Sequence, residues 1–203
     1  MKLSSVVLAG GTGKRFGGGK LGNLLAGRPL LAHALDTAAA AADDIVVVVG
    51  TSPQAADLAW AWASDQECTV RIVAAADQGE GMGASLRAGL EALDPDIDGA
   101  FVFLGDMPFV PLAILPLLIE ALAQGAPAAS PTFGGVRGHP VLLGRSMIAR
   151  RSLIGGDRGA GGLLSREPGL VLVAADSDGV LFDIDTPGDL ALANARQAFH
   201  QHQ

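Results

Sequence analysis

Cysteine and lysine are both scarce in this chain, and each shortage narrows what the protein can be. Cys68 is the only cysteine among 203 residues, so no disulfide can form within the chain, which suits a reducing compartment. We expect Cys68 to lie in a buried strand. Of the three lysines, Lys14 and Lys20 stand in one glycine-rich segment near the N-terminus. This segment is therefore locally positive in an acidic chain.

Long apolar runs and a signal sequence are also lacking. The longest later apolar stretch, residues 110–119, is interrupted by Pro111 and Pro116 and is too short to span a bilayer. The N-terminal apolar run ends in glycines and charges, without a cleavage site for a signal peptidase. These features predict a cytoplasmic protein that has no membrane partner.

The overall charge excludes another class of partner. A net charge of −7 argues against a nucleic-acid polymer as the main ligand, although a small anion in a local basic pocket remains compatible with it. The hydrophobic fraction of 49% and the charged fraction of 17% are typical of a globular chain. At this length, we expect residues 1–203 to form a single domain with a substantial core.

The segment from residue 3 to residue 20 is the most informative part of the sequence. Its β-branched and apolar beginning, residues 3–9, predicts a strand that ends in a tight turn, because glycines stand at positions 10, 11, 13, 17, 18 and 19. Lys14, Arg15 and Lys20 place positive charge beside this turn. Exposed main-chain amides next to cations favour a polyphosphate ligand. We interpret the turn as a nucleotide-phosphate site; the simpler alternative is an ordinary turn with solvated cations.

Two common phosphate motifs do not fit this segment. A P-loop would need a glycine at the position of Lys14 and a serine or threonine at that of Leu21. The dinucleotide fingerprint would start at Gly11 and would place Phe16 at its third glycine. The sequence therefore indicates a different kind of phosphate-binding turn.

Strands and helices are predicted to alternate along the chain, which indicates an α/β fold with a doubly wound, mostly parallel sheet. Strands are predicted at residues 3–9, 45–50, 69–73, 99–104, 126–131, 170–174 and 180–184, with a further strand pair at 132–135 and 140–143. Helices are predicted at residues 29–42, 52–64, 85–93, 111–123, 145–151 and 187–199, the last with Thr186 as its N-cap. No internal repeat is evident.

Two aspartates are candidates for a metal site. Asp106 directly follows a predicted strand, and open α/β sheets bind ligands at the carboxyl ends of their strands. Asp185 follows another predicted strand, and Mg²⁺ in proteins is typically held by one or two carboxylates, water and phosphate oxygens. We predict that both bind Mg²⁺. The structural alternatives are that Asp106 caps the turn at Pro108 and that Asp185 merely precedes the helix cap.

A second glycine-rich loop, residues 79–85, precedes a predicted helix and could offer further amides to the ligand, with Ser85 near the nucleotide.

No Ser-His-Asp or Cys-His set is evident, which argues against nucleophilic catalysis. His33, His200 and His202 are expected to be inert. His139, between a glycine and a proline, serves either turn geometry or substrate contact.

Five segments, in order along nearly the whole chain, carry a resemblance to a known family. They are Leu-Ala-Gly-Gly-Thr-Gly-Lys-Arg-Phe-Gly at 8–17 with Lys20, Gly-Met-Gly-Ala-Ser-Leu at 81–86, Leu-Gly-Asp-Met-Pro-Phe at 104–109, Gly-His-Pro-Val at 138–141 and Asp-Ile-Asp-Thr-Pro at 183–187. Together they resemble the MobA-like nucleotidyltransferases, and within that family they look closest to the molybdenum cofactor cytidylyltransferases.

The resemblance implies a Rossmann-like fold of the nucleotide-diphospho-sugar transferase type. It also implies Mg²⁺-dependent transfer of CMP from CTP to the phosphate of molybdopterin with release of pyrophosphate, and a molybdoenzyme or its maturation factor as a further partner. The catalytic residues would be Arg15, Lys20 and Asp106. The nucleotide-binding residues would be Leu8, Ala9, Gly10, Gly11, Arg15, Lys20, Gly81 and Ser85. The acceptor-binding residues would be His139, Asp157 and Arg158.

Two positions depart from the family pattern. Gly161 stands where the glycine-rich segment 155–162 is expected to have an arginine, and residues 21–23, Leu-Gly-Asn, are unusual after Lys20. Either departure could change the acceptor, so the use of GTP or of a sugar-phosphate acceptor stays open. The non-enzymatic alternative is a nucleotide-binding protein that delivers the cofactor to a molybdoenzyme without turnover.

Overall fold

The computed structural model describes residues 1–11, 16, 18–50, 53–75, 81–156 and 159–200. Its strands, in chain order, are β1 (Leu3–Ala9), β2 (Leu24–Leu25), β3 (Arg28–Pro29), β4 (Asp44–Val49), β5 (Thr69–Ala74), β6 (Gly99–Leu104), β7 (Ala128–Phe133), β8 (Val136–Arg137), β9 (Val141–Gly144) and β10 (Leu170–Ala174). Its α-helices are α1 (Leu30–Ala41), α2 (Pro53–Ala63), α3 (Met82–Glu91), α4 (Ile114–Ala123), α5 (Arg145–Ala149), α6 (Gly161–Leu164) and α7 (Pro187–His200).

The central sheet has the strand order β10–β7–β9–β6–β1–β4–β5, and β8 pairs with β7. β1 is parallel to both β4 and β6, and β4 is parallel to β5. At the other end of the sheet β10 is parallel to β7, whereas β9 is antiparallel to its neighbours β6 and β7. The sheet is therefore mostly parallel, as the sequence predicts, with one reversed strand in its path.

Apolar helices cover both faces of the sheet, because the side chains of a strand alternate between its two faces. Val7 and Val47 belong to one core cluster, together with Leu35 of α1 and Leu118 of α4. Val6, Val46 and Val48 belong to the cluster on the opposite face, which α3 and α5 cover. Burial on both faces explains the uninterrupted β-branched run of β4. The predicted doubly wound α/β fold is thus confirmed.

A glycine brings α3 close to the middle of the sheet. A Cβ atom at Gly89 would lie 2.6 Å from Cγ1 of Val6 and 2.8 Å from Cγ2 of Val48, which is closer than real side chains pack. Only a residue without a side chain therefore allows this helix to rest on β1 and β4. The close packing holds α3 against β1, the strand that leads into the first glycine turn.

Residues 180–184 do not form the predicted strand. A single 3₁₀ turn occupies Asp178–Val180, and the following residues cross the edge of the sheet without a ladder. Their hydrogen bonds join different segments: Val180 O accepts from His139 N at 2.8 Å, and Ile184 N donates to Asp106 O at 3.0 Å. Val180 and Ile184 are buried. The apolar pattern that suggested a strand thus reflects burial rather than strand pairing.

Two other strand predictions need correction. The separate strands predicted at 126–131 and 132–135 are one strand, β7, which ends before Gly134 and Gly135, two glycines with positive φ that turn the chain toward β8. The predicted strand at 140–143 is β9, which pairs with both β7 and β6. Cys68 stands immediately before β5 and is half-buried against the core, so its predicted place within a buried strand is wrong.

Helix limits differ from the predictions in three places. α3 begins at Met82, three residues earlier than expected. α4 begins at Ile114 rather than at Pro111, because the preceding residues form tighter turns in which Ile114 N donates to Pro111 O at 3.2 Å. α5 ends at Ala149, and a 3₁₀ turn follows at Arg151–Leu153. Among the described residues, no helix is both long enough and apolar enough to cross a membrane.

Candidate active site

Predicted site residues from distant segments meet at one edge of the sheet. β1 and β6 are parallel and place Leu8 opposite Leu104, so the chain leaves both strands at the same edge, toward Gly10 and Asp106. β9 runs in the opposite direction and therefore begins where β6 ends. This reversal brings the segment with His139 to the same edge of the sheet.

Lys20 lies between the two predicted metal ligands. Its Nζ donates to Oδ2 of Asp106 at 2.6 Å and to Oδ1 of Asp185 at 2.8 Å, while only 10% of the lysine side chain is exposed. Burial disfavours the charged lysine, but Coulombic attraction and hydrogen bonds from the two carboxylates outweigh it and raise the pKa of Lys20 above its usual value. Three side chains that are up to 165 residues apart in sequence therefore form one charged cluster.

Hydrogen bonds hold the main chain around Asp106 and Asp185 in place. Gly105 N donates to Leu8 O at 3.0 Å, which prolongs the pairing of β6 with β1 up to Asp106. Oδ2 of Asp189 accepts from the main-chain N of Asp185 at 3.1 Å and of Thr186 at 2.7 Å. Asp189 N in turn donates to Oγ1 of Thr186 at 3.2 Å, which confirms Thr186 as the cap of α7. Asp185 is thus fixed by the first turn of a helix.

A cleft of about 240 Å³ opens beside this cluster, and most of the predicted nucleotide-binding residues line it. Its lining residues are Leu8, Gly10, Gly11, Gly81, Met82, Ser85, Leu104 and Asp106. A Cβ atom at Gly10 would lie 3.4 Å from Oγ of Ser85, so the first glycine turn and the start of α3 are in close contact. The two predicted glycine-rich segments therefore meet along one side of this cleft.

The start of α3 offers main-chain amides without a side-chain cap. Gly81 precedes the helix with a φ of 74°, a conformation that side chains disfavour, and it makes no side-chain capping bond. Gly83 N is already satisfied, because it donates to Gly156 O at 2.9 Å. A Cβ atom at Gly83 would lie 2.6 Å from Cα of Gly155, so this helix start is packed tightly against residues 154–156.

A second cavity of about 130 Å³ adjoins the cleft and shares Leu8 and Met82 with it. His139 lines this cavity, with its Nδ1 3.5 Å from Val102 O. Burial lowers the pKa of His139 below its ordinary value, although the Val102 carbonyl and the charge of Asp106 oppose that shift. The geometry therefore favours a neutral imidazole beside the cleft.

Not every predicted residue is brought to the cleft by its side chain. The side chain of Ala9 is buried in the core below the turn, as the alternation along β1 would have indicated. Arg15, Asp157 and Arg158 lie outside the described residues, so their predicted roles stay predictions.

Two residues near the site were missing from the sequence-based set. Met82 lines both cavities, although nothing in its sequence position distinguishes it from a core methionine. Desolvation, together with the charges of Asp185 and Asp106, raises the pKa of Asp183, which indicates that this carboxyl belongs to the same electrostatic environment. Its position two residues before Asp185 was the available signal.

The donor set fits a hard divalent cation. Asp106 and Asp185 both reach one cationic atom, Nζ of Lys20, with carboxylate oxygens, the ligands that Mg²⁺ and Mn²⁺ prefer. In the part of the chain that the structure describes, no group of three or more His, Cys, Asp or Glu side chains could hold a metal ion. A metal here would therefore depend on these two carboxylates and would complete its shell with water and phosphate oxygens.

Comparisons with known proteins find similar structures. Rv0371c from Mycobacterium tuberculosis is similar in structure, with a TM-score of 0.80 and 26% identity over 96% of this chain and 98% of that one. Molybdopterin-guanine dinucleotide biosynthesis protein A from Archaeoglobus fulgidus is similar too, with a TM-score of 0.71 and 25% identity over 98% of this chain and 99% of that one. Rv0371c has also been solved in complex with manganese, and nucleotidyltransferases of this family typically use a divalent metal.

Sequence relatives cover a smaller part of the molecule. The bifunctional protein GlmU of Burkholderia mallei is 38% identical over 122 residues, which are 59% of this chain. The match spans only a quarter of the length of GlmU. Residues 5–171 match the family described as the MobA-like NTP transferase domain. Because this match includes most of the chain, the protein belongs to the MobA-like nucleotidyltransferase family.

Proposed function

We propose that this protein is a cytidylyltransferase that moves CMP from CTP to the phosphate of molybdopterin and releases pyrophosphate. Residues 1–203 would act as one nucleotidyltransferase domain in the cytoplasm, and a molybdoenzyme or its maturation factor would receive the product. The observation that carries the proposal is the position of Lys20, which bridges Asp106 and Asp185 beside the cleft that Gly10 and Gly11 line. A triphosphate needs cations, amides and a metal site within one cleft.

The residues around the cleft have complementary roles in this reaction. The amides of Gly10 and Gly11 would bind phosphate oxygens, while Ser85 and the start of α3 would contact the nucleoside. Lys20 would stabilise the charge that develops on the departing pyrophosphate, and Arg15 is predicted to grip the same oxygens with its planar guanidinium. Gly81, which precedes α3, supports this division because it lines the same cleft as Gly10 and Gly11.

Asp106 and Asp185 are the residues that would hold Mg²⁺. When bound, Mg²⁺ supplies charge neutralisation across the phosphate oxygens and helps to align them. The main chain of both residues is held by hydrogen bonds: Ile184 N donates to the main-chain O of Asp106, and the main-chain N of Asp185 donates to Asp189 of α7. The two ligands are therefore largely in place before the nucleotide arrives, which lowers the cost of ordering the site.

The bonds that change in this transfer need no general base from the protein. An oxygen of the acceptor phosphate attacks the α-phosphorus of CTP, and the bond from that phosphorus to the oxygen that bridges to the β-phosphate breaks. A phosphate monoester is largely ionised at neutral pH, since its second pKa is about 6. The absence of a candidate base in the sequence is consistent with this acceptor. His139, neutral beside the adjoining cavity, would contact the acceptor rather than accept a proton, and Asp157 and Arg158 are predicted to contact it as well.

Pyrophosphate release tests the proposal directly. The protein is incubated with Mg²⁺, molybdopterin and each of CTP, GTP, ATP and UTP, and pyrophosphate is measured with and without the acceptor. We expect release with CTP only when molybdopterin is present. A preference for GTP would reject the assignment as a cytidylyltransferase. Pyrophosphate release with a sugar phosphate in place of molybdopterin would reject molybdopterin as the acceptor.

The guanylyl alternative has a specific observation in its favour. The Archaeoglobus fulgidus protein, whose name refers to molybdopterin-guanine dinucleotide biosynthesis, is similar over nearly all of this chain. Pyrophosphate release with CTP or with GTP distinguishes a cytidylyltransferase from a guanylyltransferase. Tight binding of a nucleotide without any pyrophosphate release would instead favour a cofactor-delivery protein that lacks turnover.

A further inference from the structure

Arg196 of α7 contacts two aromatic rings although it does not line the cleft. Its Cζ lies 4.9 Å from the centroid of the Phe109 ring and 5.8 Å from that of the Phe182 ring. The two rings meet edge to face, with centroids 5.5 Å apart and planes at 64°. Both the ring pair and the cation above it are attractive at these distances. Three side chains from three segments thus form one cluster, which we call the Arg196 cluster.

The two rings stand at matching positions relative to the carboxylates of the cleft. Phe109 follows Asp106 by three residues, and Phe182 precedes Asp185 by three residues. Between the rings and the carboxylates, Ile184 N donates to Asp106 O at 3.0 Å. The two carboxylate-bearing segments are therefore joined by a main-chain hydrogen bond and by the Arg196 cluster.

Other contacts bring the same two segments together and fix Arg196 itself. A Cβ atom at Gly179 would overlap the carbonyl oxygen of Phe109, so glycine is needed for this close approach. Nη2 of Arg196 donates to Oδ1 of Asp178 at 2.7 Å and to Oγ of Ser177 at 3.5 Å. The guanidinium is thus held by the turn that leads into Phe182, and α7 is tied at its start to Asp185.

We infer that Arg196 is a positioning residue, which sets the separation of Asp106 and Asp185 through Phe109 and Phe182. The inference rests on the proposed function, in which the two carboxylates bind a divalent metal together. A single cation reaches both of them only while their separation is held, as the two contacts of Lys20 at 2.6 and 2.8 Å illustrate. Removal of groups that orient metal ligands typically lowers the affinity for the metal, or the activity of the enzyme, by about 10- to 100-fold.

Arg196→Met is the most direct test, because methionine keeps much of the apolar stem and removes the charge. Arg196→Lys keeps the charge above the rings, and Asp178→Asn weakens the contact that holds the guanidinium. Arg150→Met is the matched control. Arg150 also pairs with a carboxylate, that of Glu167, at 2.6 Å, but among the described residues it forms no ion pair with the segments that contain Asp106 and Asp185. For each variant, kcat and KM for CTP are measured by pyrophosphate release, and the affinity for Mn²⁺ alone is measured by electron paramagnetic resonance.

We expect Arg196→Met to lower both kcat and the affinity for Mn²⁺ by about tenfold, while KM for CTP stays within about twofold. Arg196→Lys should recover part of the loss, Asp178→Asn should show a smaller loss of the same kind, and Arg150→Met should match the wild type. Circular dichroism reports whether each variant is folded.

A folded Arg196→Met variant whose kcat and Mn²⁺ affinity equal those of Arg150→Met would overturn the inference. If Arg196→Met does not fold, wild-type values in both Arg196→Lys and Asp178→Asn would overturn it equally. If the wild type releases no pyrophosphate with any nucleotide, the proposed function fails, whereas a loss of Mn²⁺ affinity in Arg196→Met would still support the positioning role.

Discussion

The two walls of the cleft are built in different ways. On one wall, which we call the amide side, Gly10, Gly11 and residues 81–85 present main-chain groups, and glycine allows close approach. On the other, which we call the carboxylate side, Asp106 lines the cleft, and Lys20 joins it to Asp185 of the segment 178–186. The amide side depends on how closely α3 packs on the sheet. The carboxylate side depends on contacts between segments that are far apart in sequence.

This difference suggests that the two walls control different steps. In the proposed reaction, main-chain amides would bind phosphate and nucleoside groups of the nucleotide, so changes on the amide side should alter KM more than kcat. Carboxylates that hold the metal act on charge that develops in the transition state, so changes on the carboxylate side should alter kcat more than KM. Variants on the two walls can therefore confirm or reject the division.

The largest effect is expected on the carboxylate side, from Asp106→Ala. This change removes one of the two metal ligands and leaves Lys20 paired with Asp185 alone. We expect kcat for pyrophosphate release to fall by about 100- to 1,000-fold, with a small change in KM for CTP. Asp57→Asn, on an exposed part of α2, is the control and should behave as the wild type. Unchanged kcat in Asp106→Ala would remove the metal assignment.

Lys20→Met should affect both walls, because Lys20 joins the glycine-rich turn to the two carboxylates. The ammonium is nearly buried, whereas 43% of the Asp185 side chain is exposed, so solvent screens part of the interaction. We expect the free energy of unfolding to fall by about 1–2 kcal/mol in urea denaturation. Pyrophosphate release should show a lower kcat and a higher KM for CTP. A change in only one of these constants would assign Lys20 to one wall alone.

The sequence was sufficient to predict the parts of the site that follow directly from strand ends. The turn at Gly10 and Gly11 and the position of Asp106 were predictable because each follows an apolar strand, and parallel strands end at a common edge. Asp185 was also predicted and is brought to Asp106, although the strand predicted before it does not exist. An apolar pattern indicates which side chains are buried. It does not indicate whether the main chain pairs with a neighbouring strand.

The remaining features depend on contacts that no local pattern records. The Arg196 cluster joins three segments through ring and cation geometry, and no local sequence pattern indicates that Phe109 and Phe182 meet Arg196. The second cavity beside His139 exists because β9 is reversed, which the sequence prediction of a strand pair did not specify. Such features arise from the order of strands in the sheet rather than from the composition of any one strand.

Two glycine substitutions compare the walls under matched conditions. Gly83→Ala on the amide side would bring Cβ to 2.6 Å from Cα of Gly155, and Gly179→Ala on the carboxylate side would overlap the carbonyl of Phe109. Each should lower the free energy of unfolding by about 1–3 kcal/mol. Gly83→Ala should mainly raise KM for CTP, and Gly179→Ala should mainly lower kcat.

Gly162→Ala is the control for both glycine variants. Among the described residues, apart from its chain neighbours and its own helix backbone, no atom lies within 4 Å of a Cβ atom at Gly162. Alanine is also the better helix former, so the free energy of unfolding should not fall. Denaturation in urea and steady-state pyrophosphate release provide the two measurements. If Gly83→Ala and Gly179→Ala changed KM and kcat in the same proportion, the proposed division between the walls would be wrong.

The smallest effect is expected from Ser85→Ala on the amide side. The hydroxyl of Ser85 lies beside Gly10 at the cleft, and in the proposed function it would form a single hydrogen bond to the nucleotide. Loss of one such bond, about 0.5–1.5 kcal/mol, should raise KM for CTP by about two- to tenfold and leave kcat nearly unchanged. Ser165→Ala, whose hydroxyl bonds Gly162 O at an exposed position, controls for the loss of a serine. Equal KM values in the two variants would place the nucleoside away from Ser85, and the amide side would then bind phosphates alone.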